Sequence, residues 1–393
     1  MGEVGEMGEI GDYALHFLLG SGVQASVFYA THKVDGSIVA IKILKKKLKP
    51  SNNENSVSDI EKTEKEITAL KSISHPCIIP LLDVIEEEKR IGLVEEFAPN
   101  GSLVTLISTD GMPEDHALRI FCQILCAIDY IHNYKNIVHR DIKAENILLD
   151  ASFNVKLSDF GLSHQLRSLD ELMSTGCGSP QYTAPEVING NQYSMKCDIW
   201  SAGVLLFYMT IGKLPFLSNN IQRLFQIIFA GVLNFGTKEI SVDLRDLITK
   251  MIQVDPSKRI SLDEIFSHSW IRKGTVPKIP QRISEETDLR QQFHDQVAAE
   301  YAKMGIDYAL AMSNVQKKNH RFMATYAIVA QRVLDKMQIR ASRIMPRARR
   351  SLILVKNDKF EHFDSPSKRN RVMIQNQFAK IKSRFENNDF EQK

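Results

Sequence analysis

The chain has 393 residues, of which 43% are hydrophobic and 25% charged, and its formal net charge is +3. This composition is that of a globular protein, and so small a net charge predicts no nucleic-acid partner. The beginning of the chain lacks the basic and apolar regions of a signal peptide, and no apolar run approaches the ~20 residues of a transmembrane segment. Five cysteines without a C-x-x-C pair argue against a zinc or redox site and indicate an intracellular protein, in the cytoplasm or the nucleus.

The first part of the chain has the pattern of a small β-sheet. Residues 13–42 alternate apolar and polar positions around a glycine-rich turn, which predicts a hairpin followed by a third strand. The segments PCIIPLLDVIEE and KRIGLVEEF predict two further strands. Between the third and fourth strands, residues 59–72 have apolar residues at helical spacing, so we expect one helix there.

After Gly101 the pattern becomes helical. The segment EDHALRIFCQILCAIDYIHNY predicts a long amphipathic helix. Further helices are predicted by SMKCDIWSAGVLLFYMTIG, NIQRLFQIIFAG and SLDEIFSHSW, and again by residues 288–340. KGTVPKIPQ, with two prolines, reads as a linker. A small β lobe followed by a larger helical lobe predicts an α+β fold.

A glycine-rich turn lies between the first two predicted strands. Its residues are Leu19, Gly20, Ser21 and Gly22. Glycines let backbone N–H groups approach a phosphate without interference from a Cβ atom. A tight hairpin turn with no ligand explains the same residues equally well.

The third predicted strand contains VAIK and so places Lys42 among apolar residues. Burying an unpaired ammonium is costly, so this lysine needs a partner or solvent. One interpretation is a lysine on an exposed edge strand. The other is a phosphate clamp held by a carboxylate of the following helix, for which Glu66 is the best choice and Glu64 and Glu61 are alternatives.

The segment IVHRDIKAENILLD carries the strongest chemical signal. Asp141 can accept the proton of an attacking hydroxyl, and Lys143 can neutralise a migrating phosphoryl group. Asn146 and the Asp159 of the following DFG sequence offer the oxygen ligands that Mg²⁺ prefers. VAIK, HRDxKxxN, DFG and APE occur together and in this order, which chance alone would rarely produce.

With these motifs, the sequence resembles the eukaryotic protein kinase family over residues 13–271. The resemblance implies a two-lobed fold, with a small β-rich N-lobe and a larger helical C-lobe, that binds ATP and magnesium in the cleft and acts on protein substrates. Val27, Ala40 and Leu148 would sandwich the adenine. The backbone of Glu96 and Ala98 would bind the edge of the adenine.

Several residues of this resemblance point to the serine/threonine branch. Lys143 occupies the catalytic-loop position typical of that branch, and Ser179 of GSPQYTAPE falls where a Ser or Thr contacts the catalytic aspartate. The resemblance further implies that Glu186 pairs with Arg259 and that Asp198 ties down the catalytic-loop backbone.

An arginine before the catalytic aspartate predicts control by phosphorylation. Arg140 can bind a phosphate with two hydrogen bonds. Thr175, in MSTGCGSP, aligns with the phosphothreonine site of the family, and Ser174 is the alternative. We therefore expect an upstream activating kinase as a partner.

A closer resemblance is carried by TGCGSPQYTAPEVI, LPF and SHSW, which are similar to the calcium/calmodulin-dependent group, and within it to the AMP-activated and microtubule-affinity-regulating kinases. Residues 288–335 resemble the three-helix ubiquitin-associated-like domain of those kinases, although a generic helical hairpin is an alternative. Regulatory subunits are candidate partners on this resemblance. Residues 1–12 are then an extension, 272–287 a linker and 336–393 a basic tail.

Three residues depart from the kinase pattern. Ala25 replaces the third glycine of the loop, and Glu95 stands at the back of the ATP pocket, where an apolar or small residue is usual. Ser102 replaces an acid that binds ribose or substrate in many relatives, whereas Glu145 remains and could attract a basic residue of the substrate. Ala25 and Glu95 slightly favour the alternative of a catalytically inactive scaffold, against which the complete set of catalytic residues argues.

Overall fold

A computed structural model describes residues 8–21, 25–45, 67–68, 70–161, 163–165, 179–273, 287–317 and 319–344. The chain divides into two compact units, Met1–Leu334 and Asp335–Lys393. The elements described below belong to the first unit, except for the end of the last helix.

An antiparallel sheet of six strands forms the N-terminal lobe, in the spatial order β1-β2-β3-β4-β6-β5. The strands are β1 (Gly8–Ile10), β2 (Tyr13–Ser21), β3 (Ala25–His32), β4 (Ile38–Lys45), β5 (Leu81–Glu86) and β6 (Arg90–Glu96). The five strands expected from residues 13–42 and from the two later segments are present. Ile67, Thr68, Leu70 and Lys71 are helical, and the rest of the helix predicted over residues 59–72 lies outside the described residues.

The two faces of this sheet have different surroundings. One face carries an apolar core that includes Val39, Ile41 and Val94, each at most 3% exposed. Because successive side chains of a strand alternate between faces, Ala40 and Lys42 lie on the opposite face of β4. Ala40 and Lys42 therefore lie outside the apolar core of the sheet.

Strand β1 was not expected, because residues 1–12 were assigned to an extension. Ile10 is fully buried in the core of the sheet and packs directly over Gly92 of β6. A Cβ atom at Gly92 would lie only 2.7 Å from the Ile10 Cδ1 atom, so the glycine makes room for the strand. The three-residue strand is too short, and its neighbours too rich in glycine, to show an alternating pattern in the sequence.

Helices dominate the second lobe. They are α1 (Glu114–Lys135), α2 (Pro185–Ile188), α3 (Lys196–Ile211), α4 (Ile221–Ala230), α5 (Val242–Met251), α6 (Leu262–Ser267) and α7 (Ser269–Arg272). Short strand pairs complete the lobe: β7 (Ile137–Val138) with β10 (His164–Gln165), and β8 (Ile147–Leu149) with β9 (Val155–Leu157). The predicted helix SLDEIFSHSW is broken at His268, whose extended backbone ends α6 and whose ring accepts a hydrogen bond from the Trp270 N–H.

Three more helices follow the segment 274–286: α8 (Thr287–Met304), α9 (Tyr308–Gln316) and α10 (His320–Ile344). The sequence MGI forms the turn between α8 and α9, where Gly305 has a positive φ of 73°. NHRFMATY surrounds the start of α10, as expected. Phe293 and Val297 of α8 are fully buried, so one side of this helix packs in an apolar core.

Helix α10 lies against α1 of the helical lobe. Arg321 Nε is 2.6 Å from Asp129 Oδ1, and Arg332 Nη2 donates to the Val155 carbonyl at 3.4 Å. Thr325 contacts the Cys126 sulfur at 3.9 Å. The C-terminal helices and the helical lobe are therefore connected by charged and polar contacts as well as by packing. Among the residues that the structure describes, no helix is long and apolar enough to cross a membrane.

His75 predicts a pH dependence of stability. Its buried ring stacks on Tyr130, and Nδ1 accepts a hydrogen bond from the Cys77 N–H at 3.1 Å. Burial, together with the cations Arg332 and Lys156, lowers the pKa of His75 to about 3. Because the unfolded chain binds this proton near pH 6.5, the free energy of unfolding should fall by about 2 kcal/mol between pH 7 and pH 5.

Urea unfolding at pH 7 and pH 5 measures this dependence. His75→Asn keeps an acceptor for the Cys77 N–H but does not titrate, so this variant should lose about 2 kcal/mol less than the parent protein over the same interval. Equal losses in the two proteins would contradict the assignment of the pH dependence to His75.

Candidate active site

The glycine-rich turn connects β2 and β3. Gly20 is the Cα partner of Val27, and Ser21 that of Ser26, so the hairpin continues up to the turn. Leu19 is 43% exposed at the edge of this hairpin. Gly22 lies outside the described residues. The hairpin therefore brings Leu19, Gly20 and Ser21 to one end of the sheet, next to Val27.

Lys42 and Asp159 form an ion pair, with the Lys42 Nζ atom 2.7 Å from Asp159 Oδ1. Lys42 comes from β4 and Asp159 from the DFG sequence, so the pair joins the two lobes. Partial burial opposes ionisation of Asp159, but the Lys42 ammonium outweighs it and lowers the pKa of the Asp159 carboxyl. Asp159 is thus an anion at neutral pH that still has an exposed side. Glu66, Glu64 and Glu61 lie outside the described residues.

The Asp141 carboxylate is the centre of a hydrogen-bond network. Its Oδ2 atom accepts from Lys143 Nζ at 2.6 Å and from Asn146 Nδ2 at 2.9 Å. Its Oδ1 atom accepts from the N–H and the hydroxyl of Ser179, at 3.2 and 3.1 Å. Lys143 also donates to the Ser179 hydroxyl at 2.8 Å. Four predicted site residues, three from the catalytic loop and one from the later segment, are therefore joined in one hydrogen-bond network around Asp141.

The backbone before Asp141 is held in place by Asp198 of α3. The buried Asp198 carboxylate accepts from the N–H groups of His139 and Arg140, at 2.8 and 2.9 Å, and from His132 Nε2 at 2.8 Å. Burial opposes ionisation of Asp198, but the hydrogen bond and charge of His132 lower its pKa below the ordinary value. Arg140 has a φ of 68°, which is unfavourable for a side chain with a Cβ atom, and the Asp198 contacts stabilise it.

The DFG phenylalanine packs beneath the catalytic loop. Phe160 is 3% exposed, and its ring meets the His139 ring edge-on at a centroid distance of 4.8 Å. His139 Nε2 is also 3.1 Å from the Ser158 carbonyl oxygen. Asp159 has a φ of 62°, which turns its side chain away from that of Phe160. The phenylalanine is therefore in the core, while the aspartate faces Lys42.

The residues assigned to adenine surround the junction of the two lobes. Ala40 and Ala98 are each 9% exposed, and Leu148 forms an isolated bridge to Ser102 just after β6. The Glu96 side chain pairs with Lys156 Nζ at 2.7 Å, a contact that was not predicted from the sequence. The sequence did contain one indication of this ion pair, because Lys156 lies inside the short apolar strand VKL and so needs an anionic partner. Glu145 is exposed one residue before Asn146.

The segment after the DFG sequence is described again from Ser179. The Arg259 guanidinium binds both oxygens of Glu186, at 2.7 and 3.0 Å, and both side chains are buried, as the resemblance implies. Arg140 Nη1 donates to the Tyr193 hydroxyl at 3.3 Å. Thr175 and Ser174 lie outside the described residues, so their relation to Arg140 is a prediction.

Comparison with known proteins agrees with this geometry. A model of the protein kinase domain matches residues 13–271. The chain is 36% identical to serine/threonine-protein kinase SIK2 of Gallus gallus over 336 residues, which are 83% of this chain and 41% of that protein. It is 37% identical to the carbon catabolite-derepressing protein kinase of Candida tropicalis over 322 residues, 80% of this chain and 50% of that protein.

The chain belongs to the protein kinase family, since more than half of it matches the family model. Serine/threonine-protein kinase SIK1 of Mus musculus is a further relative, 35% identical over 335 residues, 83% of this chain and 42% of that protein. These relatives confirm the assignment to the serine/threonine kinases near the AMP-activated kinases. The chain spans about half the length, or less, of the curated relatives that it matches.

Proposed function

We propose that this chain transfers the γ-phosphate of ATP to serine or threonine hydroxyls of protein substrates. The observation that carries the proposal is the network around Asp141, in which Lys143, Asn146 and Ser179 fix one carboxylate. The Lys42–Asp159 ion pair lies at the same junction of the two lobes. A proton acceptor, a phosphate clamp and metal ligands in one cleft are the parts that phosphoryl transfer requires.

Each residue has a distinct role in this proposal. Asp141 orients the substrate hydroxyl and accepts its proton, and Lys143, 2.6 Å from Asp141, neutralises the phosphoryl group as it moves. Lys42 binds the phosphates, with Glu66 as its predicted partner on the following helix. Leu19, Gly20, Ser21 and Gly22 cover the phosphates, while Val27, Ala40, Leu148 and the backbone of Glu96 and Ala98 hold the adenine.

The residues Asn146 and Asp159 fit a magnesium ion. An amide and a carboxylate supply hard oxygen ligands, and Mg²⁺ takes few protein ligands because phosphates and waters complete its shell. Asn146 uses its amide N–H₂ on Asp141, which leaves the amide oxygen for the metal. The lowered pKa of Asp159 keeps that ligand ionised. Mg²⁺ held there would supply positive charge that stabilises the negative charge of the phosphates during transfer.

Serine/threonine selectivity is supported by Lys143 and Ser179. Ser179 accepts from Lys143 and donates to Asp141, so it closes the site next to the position of the substrate hydroxyl. Exposed Glu145 carries a negative charge beside this position, and a peptide with a basic residue near its serine is the matching substrate.

We further propose that phosphorylation of Thr175 activates the enzyme, with Arg140 as the phosphate ligand. The test is transfer from γ-labelled ATP and Mg²⁺ to a basic serine/threonine peptide, before and after treatment with an activating kinase. We expect the treated protein to be at least ~10-fold more active, because charge-assisted hydrogen bonds between a phosphate and Arg140 would order the loop.

Thr175→Ala should remain at the low rate after the same treatment, and Ser174→Ala serves as the control that should still respond. Full activity of Thr175→Ala without phosphate on the loop would refute the switch. If all of these proteins bind ATP and none of them transfers phosphate, the result would instead favour a catalytically inactive scaffold.

The helices α8–α10 are proposed to form a ubiquitin-associated-like module that regulates the kinase domain. The contacts Arg321–Asp129 and Arg332–Val155 support this proposal, because they join α10 to the helical lobe behind the catalytic loop. Protein substrates and an upstream kinase are the expected partners, and regulatory subunits are further candidates. Nucleic acid is not expected to bind.

A further inference from the structure

Three aromatic side chains of the N-terminal lobe are packed against one another. The Phe17 ring of β2 stacks on the Tyr29 ring of β3, with 4.6 Å between the ring centroids and 8° between the ring planes. The Phe97 ring, one residue after β6, meets the Tyr29 ring edge-on at a centroid distance of 5.1 Å. Both arrangements are favourable for aromatic rings. Phe17, Tyr29 and Phe97, each half-buried, are called the aromatic trio below.

The strand register places the aromatic trio beside Ala40, one of the residues proposed to hold the adenine. Tyr29 is the Cα partner of Phe17 on β2 and of Ala40 on β4, and directly opposed residues share a face of the sheet. Phe97 comes two residues after Glu95, which is the Cα partner of Ala40 on β6. The trio therefore lies on the face opposite the apolar core and borders the position proposed for the adenine.

A β-bulge in β2 brings Phe17 to this face. Leu15 and Phe17 have consecutive residues of β3 as Cα partners, so His16 is one residue more than β3 can match. Leu15 is 3% exposed and belongs to the apolar core, and regular alternation would direct Phe17, two residues later, to the same core. The bulge reverses this alternation. A contact of 2.7 Å between His16 Nε2 and Thr31 Oγ1 holds the extra residue in place.

Phe97 connects Glu96 and Ala98, the two residues whose backbone is proposed to bind the edge of the adenine. The Glu96 N–H donates to the Pro80 carbonyl at 3.3 Å, and the Ala98 carbonyl accepts from the Gly101 N–H at 3.2 Å. A side chain fixed by ring contacts limits the rotation of the peptide groups on either side of it. A preformed site of this kind binds its ligand at a lower entropic cost.

We propose that the members of the aromatic trio are positioning residues, which fix the backbone of Glu96 and Ala98 for recognition of the adenine. The inference rests on the proposed function, in which this backbone binds the adenine edge. Tyr29 is the central ring, because it contacts both of the others. The trio thereby connects the glycine-rich hairpin, proposed to cover the phosphates, with the segment proposed to bind the base.

A double-mutant cycle on nucleotide affinity tests this inference. Calorimetric titration with ATP and Mg²⁺ is carried out on the parent protein, Tyr29→Leu, Phe97→Leu and the double variant. We expect each single variant to bind ATP ~5–10-fold more weakly, since one aromatic pair typically contributes about 2–10-fold. The double variant should bind no more weakly than Tyr29→Leu, because Tyr29 acts on the nucleotide only through Phe97.

Two controls distinguish positioning from a general effect on the lobe. Tyr29→Phe keeps the ring and both ring contacts, so it should retain the parent affinity. Tyr13→Leu removes an edge-on contact with His32, at a centroid distance of 5.0 Å, from the opposite end of the same hairpin. This variant should also retain the parent affinity, even if its thermal stability falls.

Equal weakening by Tyr29→Leu in the parent and in Phe97→Leu would mean that Tyr29 contacts the nucleotide directly, and would overturn the inference. Unchanged affinity of both single variants, or an equal loss in Tyr13→Leu, would overturn it as well. If thermal unfolding shows that Tyr29→Leu does not fold, Phe17→Leu takes its place in the cycle with the same expectation.

Amide hydrogen exchange of the protein without nucleotide provides a second measurement. The Glu96 amide, which donates to Pro80, should exchange ~5–10-fold faster in Tyr29→Leu than in the parent, and at the parent rate in Tyr29→Phe. If the parent binds no ATP, the proposed function fails, but exchange still decides the inference. Faster exchange in Tyr29→Leu would show that the trio fixes this backbone, whereas an unchanged rate would overturn the inference.

Discussion

Asp141→Asn is expected to lower the rate of phosphate transfer by ~10²–10⁴, the usual contribution of a positioned proton acceptor, while ATP binding is retained. Asparagine has the shape of aspartate but cannot take a proton from the substrate hydroxyl. It also removes the negative charge that holds Lys143 at 2.6 Å. The described residues proposed to bind ATP, by contrast, belong to β2–β4, β6 and β8 or, like Ala98, follow β6. The hydrogen bonds described above for the Asp141 carboxylate come from other residues, namely Lys143, Asn146 and Ser179.

Single-turnover kinetics with peptide and calorimetric titration with Mg²⁺ and ATP measure the two quantities separately. Asp115→Asn, at an exposed acid in the first turn of α1, is the control and should have the parent rate. Because Asp141 accepts hydrogen bonds from Ser179 and Asn146, the thermal stability of the variant must be compared as well. A folded Asp141→Asn protein with more than a tenth of the parent rate would refute the role of Asp141 as the base.

The cluster around Asp141 was predictable because most of its residues are close together in the sequence. Asp141, Lys143 and Asn146 lie within one loop, and their spacing supplies a base, a cation and an oxygen ligand in the order that phosphoryl transfer requires. The strands β2–β6 were predictable for a similar reason, since alternation over six to nine residues is a local signal.

The features that were missed depend on distant parts of the chain. Strand β1 is recognisable only with Gly92 of β6, which leaves space for Ile10. The Lys156–Glu96 pair joins two strands of different lobes, and neither residue by itself indicates the other. Local patterns carry no information on such pairs, because the chain that connects them does not fix which residues meet.

The contact of Arg321 with Asp129 is of the same long-range kind, and it carries the second large prediction. The Asp129 side chain is 4% exposed and that of Arg321 is 18% exposed, with 2.6 Å between Nε and Oδ1. Arg321→Met would leave a buried carboxylate without its cation, which typically costs ~3–5 kcal/mol. Urea unfolding at pH 7.5 should show this loss.

Two comparisons distinguish loss of the ion pair from loss of packing as the cause of the lower stability. Arg321→Met combined with Asp129→Asn removes both charges, and this double variant should regain most of the lost stability. Lys250→Met breaks an exposed ion pair with Asp246 at 2.7 Å and should cost no more than ~1 kcal/mol. A double variant as unstable as Arg321→Met would indicate that the arginine acts by packing, over the ring of Tyr134 for example.

The pH dependence of the free energy of unfolding provides an independent test of the ion pair. Burial raises the pKa of the Asp129 carboxyl even beside Arg321, and loss of the cation must raise it further. A carboxyl whose pKa is higher in the folded than in the unfolded state disfavours folding above its folded pKa, and the penalty disappears as the pH falls and it binds a proton. The stability difference between Arg321→Met and the parent should therefore narrow from pH 7.5 to pH 5, whereas a difference due to packing alone would stay constant.

Arg321 lies at the start of α10, and Asp129 lies in α1. If the stability difference narrows, attachment of α10 to α1 depends on a buried charge. This charge then couples the C-terminal helices to the lobe that holds the catalytic loop.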